Sequence, residues 1–276
     1  MKLNLNYQNW HLNHAKAWKI MPSPARPSLG EITIFEKYLL NCYKEKQTKL
    51  NVLILGSTPE FRDLCNSKIF NVTCIDINAP IYKALTLLQK SPNKREQFIN
   101  TNWLTFNNPK RYDVIIGDAV TAMFGLGYYE QFFRNMSKHL VHRGYLIIRV
   151  PYQNPDFDIE PKKVIQNYRN LKATNRMNIY TATYNYFAMY YLNKQKSSIS
   201  LSVLYDKIKE LYKSKIILPS EFWVLKRYYQ NLTLELSYPT EEFFNSTAQK
   251  YFRIIAKEFG LDYITSFSNP IYILAN

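Results

Sequence analysis

Four short stretches of the chain place ligand-facing residue types directly after apolar runs. They are Leu55-Gly56-Ser57-Thr58-Pro59-Glu60, the segment ending in Asp76, the pair Asn102-Trp103, and Gly117-Asp118-Ala119. Gly56 lets a ligand approach the backbone, because a Cβ there would stand in its way. A helix opening with Thr58 as N-cap and Pro59 at its first position offers free N–H groups to a carboxylate or phosphate. Asp76 follows Gly56 by twenty residues, and a carboxylate at that distance can accept both hydroxyls of a ribose. The alternative for Asp76 alone is a loop carboxylate at a strand end. Asn102 beside Trp103 suits an adenine edge and a flat wall, although Trp103 alone reads equally as core. The glycine pattern of neither a dinucleotide fold nor a P-loop is present, which disfavours a pyrophosphate across the turn.

These residues need a scaffold that brings strand ends together. Apolar runs at Asn51–Gly56, Asn71–Asp76, Tyr112–Gly117 and Gly144–Val150 read as buried strands, the first buried on both faces, and Gln97–Asn100 as a weak third strand. Helices are expected at about Glu31–Lys46, after Pro59, at Pro80–Gln89 and at Tyr129–Leu140. Alternation of this kind means a parallel α/β sheet whose strand C-termini share the ligand edge. After Pro151 the rhythm breaks. Helices are expected near Tyr184–Leu192 and Leu201–Leu211, then a strand at Leu232–Leu236, a helix at Thr240–Phe259 stopped by Gly260, and a last strand at Ile271–Leu274. The expected architecture is a Rossmann-like α/β fold: a seven-stranded, mostly parallel sheet with helices on both faces. A helical insertion separates its fifth and sixth strands. The expected divisions are an arm and helix capping the site (1–50), a cofactor-binding core (51–151), an insertion or lid (152–231) and completion of the core sheet (232–276).

The core resembles the class I S-adenosylmethionine-dependent methyltransferases. The matching text is VLILGSTPEFR, CIDIN, NTNWLTF, RYDVIIGDAV and HLVHRGYLIIRV, over about residues 50–150, with a weaker match at 238–275. The stretch WKIMPSPARPSLGE is similar to the leader of a bacterial branch with a Leu-Gly-x-Thr-Pro-Glu first motif. The resemblance implies that S-adenosylmethionine is the cofactor. It places Gly56, Thr58 and Glu60 along the methionine part and Asp76 on the ribose hydroxyls. Asn102 and Trp103 would flank the adenine, and Asp118 with Ala119 would lie near the sulfonium and amino group. Two departures stand out: the glycine motif is reduced to Gly56, and Asn102 stands where an acid is common. With an amide there, the adenine contact would rely on its side-chain oxygen. The arm is implied to fold over the cofactor, where Arg26 either pairs with its carboxylate or stands exposed to solvent. Trp10, His11, His14 and Trp18 would then wall the transfer chamber, or simply pack on the sheet.

Methyl transfer is an in-line displacement that needs alignment first and a base second. No residue announces itself as the base; His11, His14 and Asp118 are the candidates. His139 and His142 fall before the fifth strand, at the far end of the sheet. Asn269-Pro270-Ile271-Tyr272 imitates an amine-holding motif, but it leads into the last strand and reads as structural. No metal-binding acid cluster is present.

The composition bounds the rest. The chain has 276 residues, 46% hydrophobic, with 36 Lys or Arg against 21 Asp or Glu and a net charge of +15. That excludes disorder. Three cysteines exclude a disulfide framework, and no apolar run is long enough to cross a membrane. A cytoplasmic enzyme is expected. The basic balance admits a nucleic-acid partner or a codon bias toward Lys, Asn, Ile and Tyr. Residues 152–231 hold 13 Lys or Arg against 6 Asp or Glu, and 11 of the 23 tyrosines. The leading expectation is transfer to an oxygen or nitrogen of a small-molecule or small-peptide acceptor. The alternatives are an RNA methyltransferase and a catalytically silent methyltransferase-like interaction domain.

Overall fold

Strands β1 (Leu50–Leu55), β2 (Phe70–Asp76), β3 (Gln97–Asn100), β4 (Tyr112–Asp118) and β5 (Leu140–Arg149) follow the apolar runs closely. The computed structural model describes residues 15, 18, 19, 21–172, 178–230, 232 and 234–276. Two more strands, β8 (Arg253–Glu258) and β9 (Ile271–Ala275), complete a seven-stranded sheet of order β3-β2-β1-β4-β5-β9-β8. Strands β1 to β5 pair in parallel, whereas β9 runs antiparallel to both β5 and β8. The expected α/β fold, mostly parallel and seven-stranded, is therefore the one observed.

Helices cover both faces because neighbouring strand residues alternate sides. On one face Val52, Ile54, Val72 and Val114 pack with Phe35 and Leu39 of α1 (Leu29–Lys46) and Phe61 of α2 (Pro59–Leu64). The opposite face packs Leu53, Ile115 and Leu146 against Phe132, Phe133 and Met136 of α4 (Tyr129–His139). Helix α3 (Ala79–Thr86) lies between β2 and β3 in the chain. Each fully buried aromatic contributes roughly 1.5–3 kcal/mol over an exposed one. Helix α1 opens on a capping box: Ser28 Oγ accepts from the Glu31 N–H, and Glu31 Oε2 accepts from the Ser28 N–H at 2.7 Å.

The insertion has its own core. Helices α5 (Pro161–Lys172), α7 (Leu201–Lys213) and α8 (Pro219–Tyr229) pack Val164, Ile165, Leu204, Ile208 and Leu225 together. Helix α6 runs continuously through Ile179–Thr181, Ala182–Phe187 and Ala188–Tyr190, its middle part π-wound. The sequence periodicity had pointed to a helix starting five residues later, at Tyr184.

The last quarter departs from expectation in two places. The strand expected at Leu232–Leu236 does not enter the main sheet. Instead β7 (Glu235–Ser237) pairs with β6 (Ser198–Ser200) as a separate two-stranded ribbon on the insertion. The helix expected over Thr240–Phe259 is only α9 (Glu241–Ala248), followed by a turn and then strand β8. Strand β8 is an edge strand with alternating partial exposure, so it lacks the continuous apolar run that marked the central strands. Gly260 is no helix stop. A Cβ on it would stand 2.5 Å from Glu31 Cγ, so it is a close-approach glycine under α1. No helix among the described residues is long and apolar enough to cross a membrane.

Candidate active site

The C-terminal ends of β1 to β4 share one rim, and a cavity opens there. Seven of the expected residues line it together: Gly56, Thr58, Asp76, Asn102, Trp103, Asp118 and Ala119. Gly56 has φ +88°, a backbone that side-chain-bearing residues rarely adopt, and a Cβ there would stand 3.5 Å from the Trp103 ring. The turn after β1 thus keeps open a strip of exposed backbone facing a flat indole. The Trp103 Nε1–H donates to the Ile75 carbonyl at 3.1 Å, which fixes the ring as a wall.

Asp76 is buried, and each of its oxygens is held. Oδ2 accepts from Ser57 Oγ at 2.6 Å and Oδ1 from the Asn78 N–H at 2.8 Å. Burial raises its pKa, and the two hydrogen bonds work against that rise. Carboxylate oxygens take more than one donor each, so the group is oriented yet still able to accept from a ligand. Asn102 differs from expectation. Its Oδ1 already accepts from the Leu104 N–H at 2.9 Å, closing a turn of the Asx kind. The adenine contact foreseen for that oxygen competes with the turn. Thr58 also differs: it sits at the N-cap of α2 without a side-chain capping bond and lines the cavity instead.

Asp118 belongs to a buried charge cluster that sequence reasoning missed. Arg149, at the end of β5, donates from Nε to Asp118 Oδ1 at 2.6 Å and from Nη1 to Glu31 Oε1 at 3.4 Å. Its Nη2 donates to the Pro24 carbonyl at 2.7 Å, and Tyr263 donates its hydroxyl to Glu31 Oε1 at 2.6 Å. One guanidinium is thus shared by two buried carboxylates. Burial pushes the Asp118 carboxyl up to about 6, against the pull of Arg149 and with the push of Glu31. Burial would lower Arg149, but Asp118 and Glu31 outweigh it and hold it well above its ordinary value. Ala119 follows in a left-handed conformation, φ 49°, which costs an alanine about 1–2 kcal/mol. No sequence signal announced Arg149: the partners lie 31 and 118 positions away.

Arg26 and Glu60 do not reach this wall. They face each other at 3.7 Å in a neighbouring cavity that shares Trp18 and Met21 with this one, and Glu60 also accepts from the Trp18 Nε1–H at 3.1 Å. Trp18 itself lines the cavity. The leader is held in three further places: by Arg149 on Pro24, by Arg26 Nη1 donating to the Trp18 carbonyl at 3.0 Å, and by Thr181 Oγ1 donating to the Ser23 carbonyl at 3.1 Å. His11 and His14, like Trp10, lie outside the described residues.

The remaining histidines are remote. His139 donates from Nδ1 to the Asn135 carbonyl and accepts the Asn108 N–H on Nε2, a satisfied core imidazole at the opposite end of β4. Asn269 donates to the Thr265 carbonyl, and the Pro270 carbonyl receives the Val150 N–H, so that stretch is structural. Among the described residues no His, Cys, Asp or Glu cluster of metal-binding size occurs.

The strand order, the antiparallel β9 and the ligand rim together define the α/β Rossmann-like fold of the class I methyltransferases. No protein-family model matches the chain, and no curated protein matches it in sequence. Solved structures do match. The chain is similar to the CcbJ methyltransferase of Streptomyces caelestis, with a TM-score of 0.61 and 11% identity over 98% of each chain. It is also similar to a Rhodobacter sphaeroides protein described as a zinc-dependent alcohol dehydrogenase, with a TM-score of 0.59 and 13% identity over 97% of this chain and 96% of that one. The PH0226 protein of Pyrococcus horikoshii has a TM-score of 0.55 and 12% identity over 94% of this chain and 98% of that one. At such identities these are likenesses of fold.

Proposed function

We propose that the chain is an S-adenosylmethionine-dependent methyltransferase acting on an oxygen or nitrogen of a small acceptor. The observation that carries this reading is the charge of the cavity wall. In a chain of net charge +15, the only charged residues among the described ones lining the cavity are Asp76 and Asp118. A wall of that sign favours a cation and disfavours a phosphate chain. The residues fit the cofactor. Asp76 suits the ribose hydroxyls, the Gly56 turn leaves room against Trp103, and Asp118 holds a negative charge for a sulfonium centre. Bound there, the cofactor supplies an electrophilic methyl carbon.

Held by these residues, the cofactor would offer that methyl carbon to a nucleophilic acceptor atom. The chain's part is to align the acceptor and exclude solvent. Asp118 is a poor general base, because Arg149 holds one of its oxygens. The leader (Met21, Pro24, Ala25) and the insertion (Tyr180, Tyr184, Leu201) face the strand ends across the cavity, which supports a small acceptor over a polymer. No Lys or Arg is among the described residues of the wall to meet an RNA phosphate.

The test is formation of S-adenosylhomocysteine from S-adenosylmethionine in the presence of a small-metabolite extract or of bulk RNA. The reading expects turnover with the small-molecule pool and loss of cofactor binding by at least about tenfold in Asp76→Ala, since hydrogen bonds to a charged group are worth about 1.5–3 kcal/mol. Turnover with RNA alone, or undisturbed binding in Asp76→Ala, contradicts it.

A further inference from the structure

Beyond the four strand ends the cavity continues into a second half of different chemistry. Its wall comes from the leader (Met21), the segment after β4 (Met123, Phe124), α6 (Tyr180, Tyr184) and the end of the insertion (Leu234). Among the described residues lining this half there is no Lys, Arg, His, Asp or Glu. The insertion as a whole is basic, so its cationic residues have been kept off this wall. Tyr180 and Tyr184 stack at 5.4 Å and 26°, and Tyr180 also lies near-parallel to Tyr229, 5.6 Å away. Burial raises the pKa of both lining tyrosines, so their hydroxyls stay protonated and serve as neutral polar groups. Met21 and Met123 add deformable walls.

We infer that this half of the cavity binds an uncharged small molecule with a flat apolar body, and that it excludes peptides, nucleotides and permanently charged amines. The inference rests on the methyltransferase reading for its role as the acceptor chamber. A charged group here would lose its water and, among the described lining residues, meet no counter-charge except Asp76 and Asp118 at the rim, which the methyltransferase reading gives to the cofactor. An aromatic or alicyclic body would exchange water for tyrosine, leucine and methionine contacts. Among the described lining residues of this half there is no His, Asp or Glu to act as a base.

The experiment uses the full chain and two probes with a shared body: N-phenyl-1-naphthylamine, which is neutral, and 8-anilino-1-naphthalenesulfonate, which is anionic. Fluorescence titrations are run on the protein alone and with saturating S-adenosylhomocysteine, whose own binding is measured by calorimetry. The expected result is one neutral probe bound per chain in the presence of S-adenosylhomocysteine. The anionic probe should bind at least about tenfold more weakly, and Leu234→Lys should weaken the neutral probe by a similar factor. Leu234 is only partly buried, so the variant should fold, and retained S-adenosylhomocysteine binding shows that it has. Leu234→Met should keep probe affinity. Equal affinity for both probes, no effect of Leu234→Lys, or displacement of the probe by S-adenosylhomocysteine overturns the inference. Failure of S-adenosylhomocysteine to bind removes the methyltransferase reading instead, and the probe titration on the protein alone then decides the chemistry of the chamber.

Discussion

Arg149 stands between two buried carboxylates, and this sharing governs the chemistry at the rim. Replacing it with methionine would leave Glu31 and Asp118 buried without a counter-charge, a change expected to cost about 3–5 kcal/mol. Urea unfolding of Arg149→Met checks this, and a loss below 1 kcal/mol contradicts it. Asp118 gives a pH signature as well. In the folded chain its carboxyl keeps the proton up to about pH 6, above the ordinary aspartate value of 3.8. Between those values the folded state binds the extra proton, so the group's contribution to stability is full in acid and is lost as pH rises through about 6. The unfolding free energy of the wild type relative to Asp118→Asn should therefore fall by up to about 3 kcal/mol between pH 4 and 7, then level off. A difference that is flat or rises over that window contradicts the assignment. Gly56, Asp76 and Asp118 were legible as candidates because each stands at the end of a buried strand, whereas Asn102 follows the part-exposed edge strand β3. Arg149 and Glu31 were not, since a partnership across 118 positions leaves no local pattern.

At the scale of elements, the leader and the insertion add walls that the sheet cannot: Met21, Pro24, Ala25, Tyr180, Tyr184 and Leu201 line the cavity at the strand ends. Trp18 and Glu60 connect the leader to the first turn of α2. Trp18→Phe keeps a ring and removes the indole donor. Dissociation of S-adenosylhomocysteine, followed by stopped flow, should quicken by about tenfold, the value of one hydrogen bond to a charged acceptor. An unchanged rate would mean that this contact does not retain the ligand. The central strands were readable because burial on both faces demands continuous apolar runs such as Val52-Leu53-Ile54-Leu55. The end of the chain was harder. Strand β8, Arg-Ile-Ile-Ala-Lys-Glu, mixes exposures at the sheet edge, and its residues carry no bias against a helix. Strand β7 spans only three residues, and its pairing partner lies in the insertion, so nothing local distinguished it from a core strand.

At the scale of the whole molecule, charge and cavity have opposite signs. The excess of Lys and Arg first admits a nucleic-acid partner, but the cavity wall presents two aspartates and no cation among its described residues. Bulk tRNA, if it adheres to the basic surface at low salt, should leave S-adenosylhomocysteine affinity unchanged within twofold; strong competition would place the polymer at the site itself. The central claim is that this rim holds a sulfonium cofactor, and calorimetric titration with S-adenosylmethionine and S-adenosylhomocysteine at pH 5 and pH 8 tests it most directly. The expected result is one site for each ligand, with the charged S-adenosylmethionine gaining on the neutral-sulfur product as Asp118 ionises through about pH 6. The absence of binding by either ligand at both pH values would contradict the account.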